Sequence, residues 1–293
     1  MNSKRPIAFL FMAIGISSAC AYDADVHRTL TMVAIHHYNF CNASEKVSQA
    51  AANTLVHCNA EEDRADIHRV FNWHFYARSE KSLRTWFPFA TTTFAADVKL
   101  YSDVASDKTV APEKRIQALG QGLHYLQDAT NPSHVIPVLH GSIFGKDAFD
   151  SMPPQFLELF STSFRDELCS RSDTSEKSVQ DRVVFAAERT LERVQRSSPE
   201  GFDPDNYWHK PLANSWWGWG EYASRAEGSM TNNVREKFRE FVHEQNKEAI
   251  RHTFDTLRSQ RVLLSDRRLT DATLPTCENR HDSFTPPMRG AKK

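Results

Sequence analysis

The sequence predicts an all-α fold, a single compact multi-helix domain, and three observations carry that prediction. Apolar residues recur at helical spacing through several long stretches, while runs of alternating apolar and polar residues, the mark of half-buried strands, are scarce. The chain has 293 residues, 40% hydrophobic and 25% charged, which suits one large globular domain or two small ones and supplies ample material for a core.

From Ala24 to Tyr38 the residues Leu30, Val33, Ala34 and His37 fall on one helical stripe, and His27 shares the side of Leu30 and Ala34. Between Glu113 and Ala129 a second stripe, Ile116, Leu119, Leu123 and Leu126, marks a helix opened by Pro112 and closed before Pro132. Further helices are expected over Phe156 to Leu168, Glu176 to Val194 and Asn233 to Leu257. Loops are expected at Ala60 to Val70, Asn131 to Pro154 and Ser198 to Tyr222, where Gly, Pro and aromatic residues interrupt any period.

The N-terminus has the three-part layout of a secretory signal: Lys4 and Arg5, the apolar run Ile7 to Ile16, and a small-residue stretch ending at Ala21. The run is too short to span a bilayer comfortably. Cleavage after Ala21 makes residues 1–21 the signal and Tyr22 the mature N-terminus; Ser17 argues against the rival reading of Cys20 as a lipidated cysteine. Residues 22–275 are expected to form the folded domain, with 276–293, rich in Pro and Lys, a disordered tail. The expected location is therefore secreted or periplasmic.

Removal of the signal leaves Cys41, Cys58, Cys169 and Cys277, an even set in a chain bound for an oxidising compartment. Three pairings are possible, of which Cys41 with Cys58 and Cys169 with Cys277 is the one expected. No C-x-x-C spacing points to zinc or thiol chemistry at cysteine. With 36 basic against 37 acidic residues there is no global field to attract nucleic acid or an anionic membrane, so a local site must hold any such partner.

The most informative segment is His124-Tyr125-Leu126-Gln127-Asp128-Ala129-Thr130-Asn131-Pro132-Ser133-His134. His124 and Asp128, four apart on a helix, project from one face and can grip the same ion. Pro132 then turns the chain and delivers His134 from another direction. Imidazole and carboxylate so arranged suit zinc, with room for more than one ion.

This segment resembles the signature of the bacterial zinc-dependent phospholipases C, in which H-Y-x-x-D precedes a proline and a second histidine at these offsets. It departs from that pattern at Gln127, where the family usually carries a small residue, and at Thr130, and neither departure removes a ligand. The resemblance implies a ligand from the mature N-terminus, here the backbone of Tyr22, with His27 five positions on, a spacing seen in related single-strand-specific nucleases. It further implies His74, within Asn72-Trp73-His74-Phe75-Tyr76, and Asp63 as metal-binding residues. By resemblance, Asp63, His74, His124 and Asp128 hold one zinc ion. The Tyr22 backbone, His27 and Asp128 hold a second, with Asp128 bridging, and His134 and Asp150 belong to a third. Where the family supplies another histidine for the third site this chain has Lys146, which binds zinc only after losing a proton; His140 replaces it, or that ion is loosely held or absent with Lys146 paired to substrate phosphate.

The activity implied is hydrolysis of a phosphodiester, phosphatidylcholine-type lipid giving diacylglycerol and phosphocholine, with two or three zinc ions as cofactor and Asp63 and Asp128 as catalytic carboxylates. The implied partners are phospholipid and a peripheral membrane surface, with no stable nucleic-acid complex, and the chain is expected to be a monomer. Trp208, Trp216, Trp217, Trp219 and Tyr222 concentrate in a late loop, either to meet a lipid head group or to pack that loop. The balanced charge and the Tyr that follows His124 lean toward lipid. A single-strand-specific nuclease and a non-catalytic interaction protein with a degraded metal site are the rival readings.

Overall fold

A computed structural model describes residues 24–62, 72–73, 75–76, 91–136, 149, 152–171, 177–196, 208–209, 221–222, 231–266 and 277. Ten helices appear among them: α1 (Ala24–Cys41), α2 (Gln49–Glu61), α3 (Phe94–Ser106), α4 (Pro112–Asp128), α5 (Pro132–Val135), α6 (Phe156–Leu159), α7 (Thr162–Ser170), α8 (Val179–Gln195), α9 (Asn232–Ser259) and α10 (Arg261–Leu264). Two short ladders accompany them. β1 (Asn72–Trp73) pairs in parallel with β2 (Thr91–Thr92), and β3 (Trp208–His209) pairs antiparallel with β4 (Glu221–Tyr222), setting Trp208 opposite Tyr222. The fold is all-α.

The architecture is organised around α4, which packs against α2, α3, α8 and α9. From Ile116 to Asp128 every residue of this helix is buried, although Gln117, Gln121, His124, Gln127 and Asp128 are polar. A helix surrounded on all sides needs internal partners for its polar side chains, since burying them unpaired costs free energy. Those partners form the candidate site. Gly120 makes the surround tight: a Cβ there would lie 3.0 Å from both Cys58 Cβ and the Leu55 carbonyl oxygen of α2.

Helix ends follow their capping chemistry. Pro112 opens α4 as the sequence predicts. Ser161 accepts from the Phe164 amide and starts α7 afresh, so the helix expected over Phe156 to Leu168 is interrupted at Phe160. A capping box between Ser178 and Asp181 begins α8 at Val179 rather than at Glu176. The stretches expected to be helical around Ala24, Glu113 and Asn233 are present within a few residues of their expected bounds. The loop expected at Asn131 to Pro154 contains the short α5, and that expected from Ala60 starts two residues later, beyond Glu61.

Two disulfides join Cys41 to Cys169 and Cys58 to Cys277. This overturns the expected pairing, and the reason is geometric. α1 and α2 form a hairpin in which Asn59 Nδ2 donates to Thr31 Oγ1 at 3.0 Å. Cys58 therefore lies beside the middle of α1, roughly 15 Å from the helix end that carries Cys41. The second disulfide ties the chain at residue 277, beyond the boundary drawn at 275, to α2. Elsewhere α7 and α9 are held by paired forks, Arg171 on Asp255 and Arg251 on Glu167. Among the described residues no helix is long and apolar enough to cross a membrane.

Candidate metal centre

Three imidazoles from three helices converge on one carboxylate. In the last turn of α4, His124 Nε2 lies 3.1 Å from Asp128 Oδ2. The first turn of α1 brings His27 Nε2 to 3.3 Å from Asp128 Oδ1. His134 arrives from α5, with Nδ1 3.5 Å from Asp128 Oδ2. The local sequence explains the last approach: α4 ends at Asp128, Asn131 caps the next turn by accepting from the Ser133 amide, and Pro132 sets its first residue.

All four residues are at most 4% exposed. Burial alone would push the Asp128 carboxyl upward, but the positive charge of His124 and His134 beside it outweighs burial and holds the carboxyl well below its usual range. Asp128 is thus an anion that presents one oxygen toward His27 and the other toward His124 and His134. Ligand atoms of His27, His124 and Asp128 lie within 4.8 Å of one another, a spacing that can hold a metal ion. The rings of His27 and His124 are 4.3 Å apart at their centroids. The donor set, imidazole nitrogen plus carboxylate oxygen around a buried anion, fits zinc chemically.

The two departures from the family pattern occupy defined places around this set. Gln127 Oε1 meets His27 Nδ1 at 2.8 Å, while its Nε2 donates to Thr31 Oγ1 at 3.0 Å and Thr253 Oγ1 at 3.3 Å. Thr130 Oγ1 donates to the Gln127 carbonyl, and the Thr130 carbonyl accepts from Gln245, which satisfies backbone groups where α4 gives way to the turn. Nothing in the residue types alone signals the Gln127 contact, because it depends on α1 packing beside α4.

The flanks of His74 reach the same place. Phe75 stacks on His134, and the Tyr76 amide donates to the His134 carbonyl. Glu62, next to the expected ligand Asp63, is buried and accepts from Gln121 Nε2 at 2.7 Å and the hydroxyls of Tyr101 and Tyr125 at 3.1 and 3.4 Å. Tyr125 also donates to Asp97 and is fully buried, so this tyrosine packs the helix core rather than lining a substrate surface. Neither Glu62 nor Asp97 was singled out in the sequence, where nothing distinguishes them from surface acids.

Of the expected ligands, His27, His124, Asp128 and His134 are thus brought together. Tyr22, Asp63, His74 and Asp150 lie outside the described residues, as do His140, Lys146 and the aromatic loop between Trp208 and Tyr222 apart from the paired backbone of β3 and β4. Two histidines outside this set make ordinary contacts: His37 Nε2 bonds the Leu159 carbonyl and His252 sits beside Glu248. No known protein family, curated protein or solved structure matches the chain.

Proposed function

We propose that this chain is a secreted zinc-dependent phosphodiester hydrolase of the phospholipase C kind. The observation that carries the reading is the convergence of His27, His124 and His134 on the buried carboxylate of Asp128. A surface His–Asp pair four apart on a helix is common, but three histidines from separate helices around one buried anion are not a packing solution in themselves.

In this reading His27, His124, Asp128 and His134 hold zinc together with the Tyr22 backbone, Asp63, His74 and Asp150, for two or three ions in all. Zinc bound there supplies a water that ionises near neutral pH and positive charge for the phosphate oxygens. Asp128 stays ionised and offers an oxygen to each of two neighbouring positions. Asp63 orients the attacking water for in-line displacement at phosphorus, and the bond to the diacylglycerol oxygen breaks. Burial keeps bulk water from competing for these ligands. Two disulfides suit the oxidising compartment that a signal peptide implies.

The test is a pair of assays on secreted protein, one on phosphatidylcholine vesicles and one on single-stranded DNA, before and after chelation and zinc restoration. Release of phosphocholine that is lost on chelation and regained with zinc is the expected result. Cleavage of DNA instead would assign the site to a nuclease, and a chain that binds no zinc and hydrolyses neither substrate would be an interaction protein.

A further inference from the structure

Gln127 occupies a position that decides what His27 can do. A neutral imidazole carries one N–H and one lone pair, and only the lone pair binds a cation. His27 turns Nδ1 to Gln127 Oε1 at 2.8 Å and Nε2 toward Asp128 Oδ1 at 3.3 Å. With the proton on Nδ1, the lone pair of Nε2 faces the site. With the proton on Nε2, His27 donates to Asp128 and presents nothing to a metal.

The surroundings of Gln127 select between these states. Its amide nitrogen has two protons and two hydroxyl acceptors, Thr31 Oγ1 on α1 at 3.0 Å and Thr253 Oγ1 on α9 at 3.3 Å. Its oxygen is left for the ring. Turning the amide over would aim an N–H at Nδ1 and give up both bonds from the amide nitrogen to the threonine hydroxyls, in a fully buried position. Thr31 is itself held by Asn59 of α2, so three helices beside α4 fix the orientation of one amide. A small side chain at 127, as in the family the motif resembles, cannot reach the ring.

We infer that Gln127 is a positioning residue that locks His27 in the Nδ1–H tautomer and so aims Nε2 at the metal site beside Asp128. The inference rests on the zinc reading and adds to it a support built by this chain's own sequence. Outer-shell partners that orient a ligating histidine in this way commonly change metal affinity by about 10–100-fold.

The full mature chain, its Gln127→Leu variant and its Gln127→Glu variant test the idea with two readouts that need no substrate. Nitrogen-15 NMR of zinc-free protein at mildly alkaline pH reports the His27 tautomer, and competition with a chromophoric chelator reports zinc affinity. The wild type is expected to show the Nδ1–H form; Gln127→Leu should lose that preference and bind its weakest-held essential zinc about 10–100-fold less tightly. Gln127→Glu, whose carboxylate still accepts from Nδ1, should keep the tautomer, restore affinity and move the Nδ1–H proton resonance downfield. If Gln127→Leu does not fold, the Glu variant decides alone, and an unmoved resonance overturns the inference. An Nε2–H or doubly protonated ring in the wild type, or equal zinc affinity in wild type and Gln127→Leu, also overturns it while leaving the metal centre intact. Absence of zinc binding by the wild type sinks the metal reading itself, and the role of Gln127 with it.

Discussion

The ring of Phe75 lies stacked on that of His134, with centroids 5.5 Å apart and planes inclined by 21°. This contact covers one face of the imidazole, and the Tyr76 amide donating to the His134 carbonyl brings Phe75 and Tyr76 against the turn after Pro132. Phe75 is 1% exposed, so shortening it leaves unfilled space as well as a freer histidine. Phe75→Leu is expected to fold with a lowered melting temperature and to retain less zinc per chain after dialysis. Undiminished zinc at a lowered melting temperature would show that the stacking serves packing alone.

Asp128→Asn should be far more damaging than Asp150→Asn. Asp128 faces His27 with one oxygen and His124 and His134 with the other, whereas Asp150 is expected at a single site. The amide keeps the size and removes the anion that several imidazoles surround. The loss in zinc affinity is expected to exceed the roughly 10–100-fold typical of an outer-shell change. Metal analysis and turnover on the same preparations provide the check, and comparable values for the two variants would contradict bridging by Asp128.

The contrast between what was legible in the sequence and what was not has a physical pattern. The stripe Ile116, Leu119, Leu123 and Leu126 announces α4 because period 3.6 is written in large apolar residues, and His124 with Asp128 follows from the same period. α2 leaves no clear stripe because its buried face, Ala50, Ala51, Thr54, Leu55, Cys58, Asn59 and Ala60, has Leu55 as its one large aliphatic residue among small or polar ones. α3 carries the stripe Phe94, Val98, Tyr101 and Ala105 but has no side-chain cap to mark its start. The disulfide pairing is not legible in the spacing of the cysteines, because it depends on how helices turn back on one another. Gln127 read as a harmless departure because its role exists only once α1, α4 and α9 are assembled.

Gly120→Ala is expected to destabilise the fold although alanine favours helices. The added methyl would meet Cys58 Cβ and the Leu55 carbonyl oxygen at 3.0 Å, and a backbone oxygen cannot step aside as a flexible side chain can. The helix-propensity gain of up to about 1 kcal/mol is set against an overpacking cost of about 1–3 kcal/mol. Chemical denaturation of the variant should therefore give a lower midpoint, and an unchanged or raised midpoint would show that α2 and α4 can separate without net penalty.

The Cys58–Cys277 disulfide closes a longer stretch of chain than Cys41–Cys169, with separations of 219 and 128 residues. Removing either should cost about 2–5 kcal/mol. Cys58→Ser with Cys277→Ser additionally releases the chain end from α2, so limited proteolysis should cut near residue 277 faster than in the wild type. Thermal melts with and without reductant measure the stability part. A double variant as stable and as protease-resistant as the oxidised wild type would mean that non-covalent packing already holds both segments.

His252 sets an expected loss of stability in mild acid. Burial, opposed by Glu248 and Asp255 and reinforced by Arg171 and Arg182, pushes its imidazole down to about 4 from an ordinary 6.5. The unfolded chain therefore takes up this proton at higher pH than the folded chain does, and stability falls as pH drops through the window between those values. The full effect is on the order of 3 kcal/mol, reached near the lower end of the window. His37 and His243, also held below their ordinary range by burial, act with the same sign. His252→Leu, in a helix that accepts leucine readily, removes the proton site while filling similar space. Denaturation midpoints between about pH 7 and about pH 4.5 should fall less steeply for the variant than for the wild type, and parallel profiles would show that His252 does not carry the acid sensitivity.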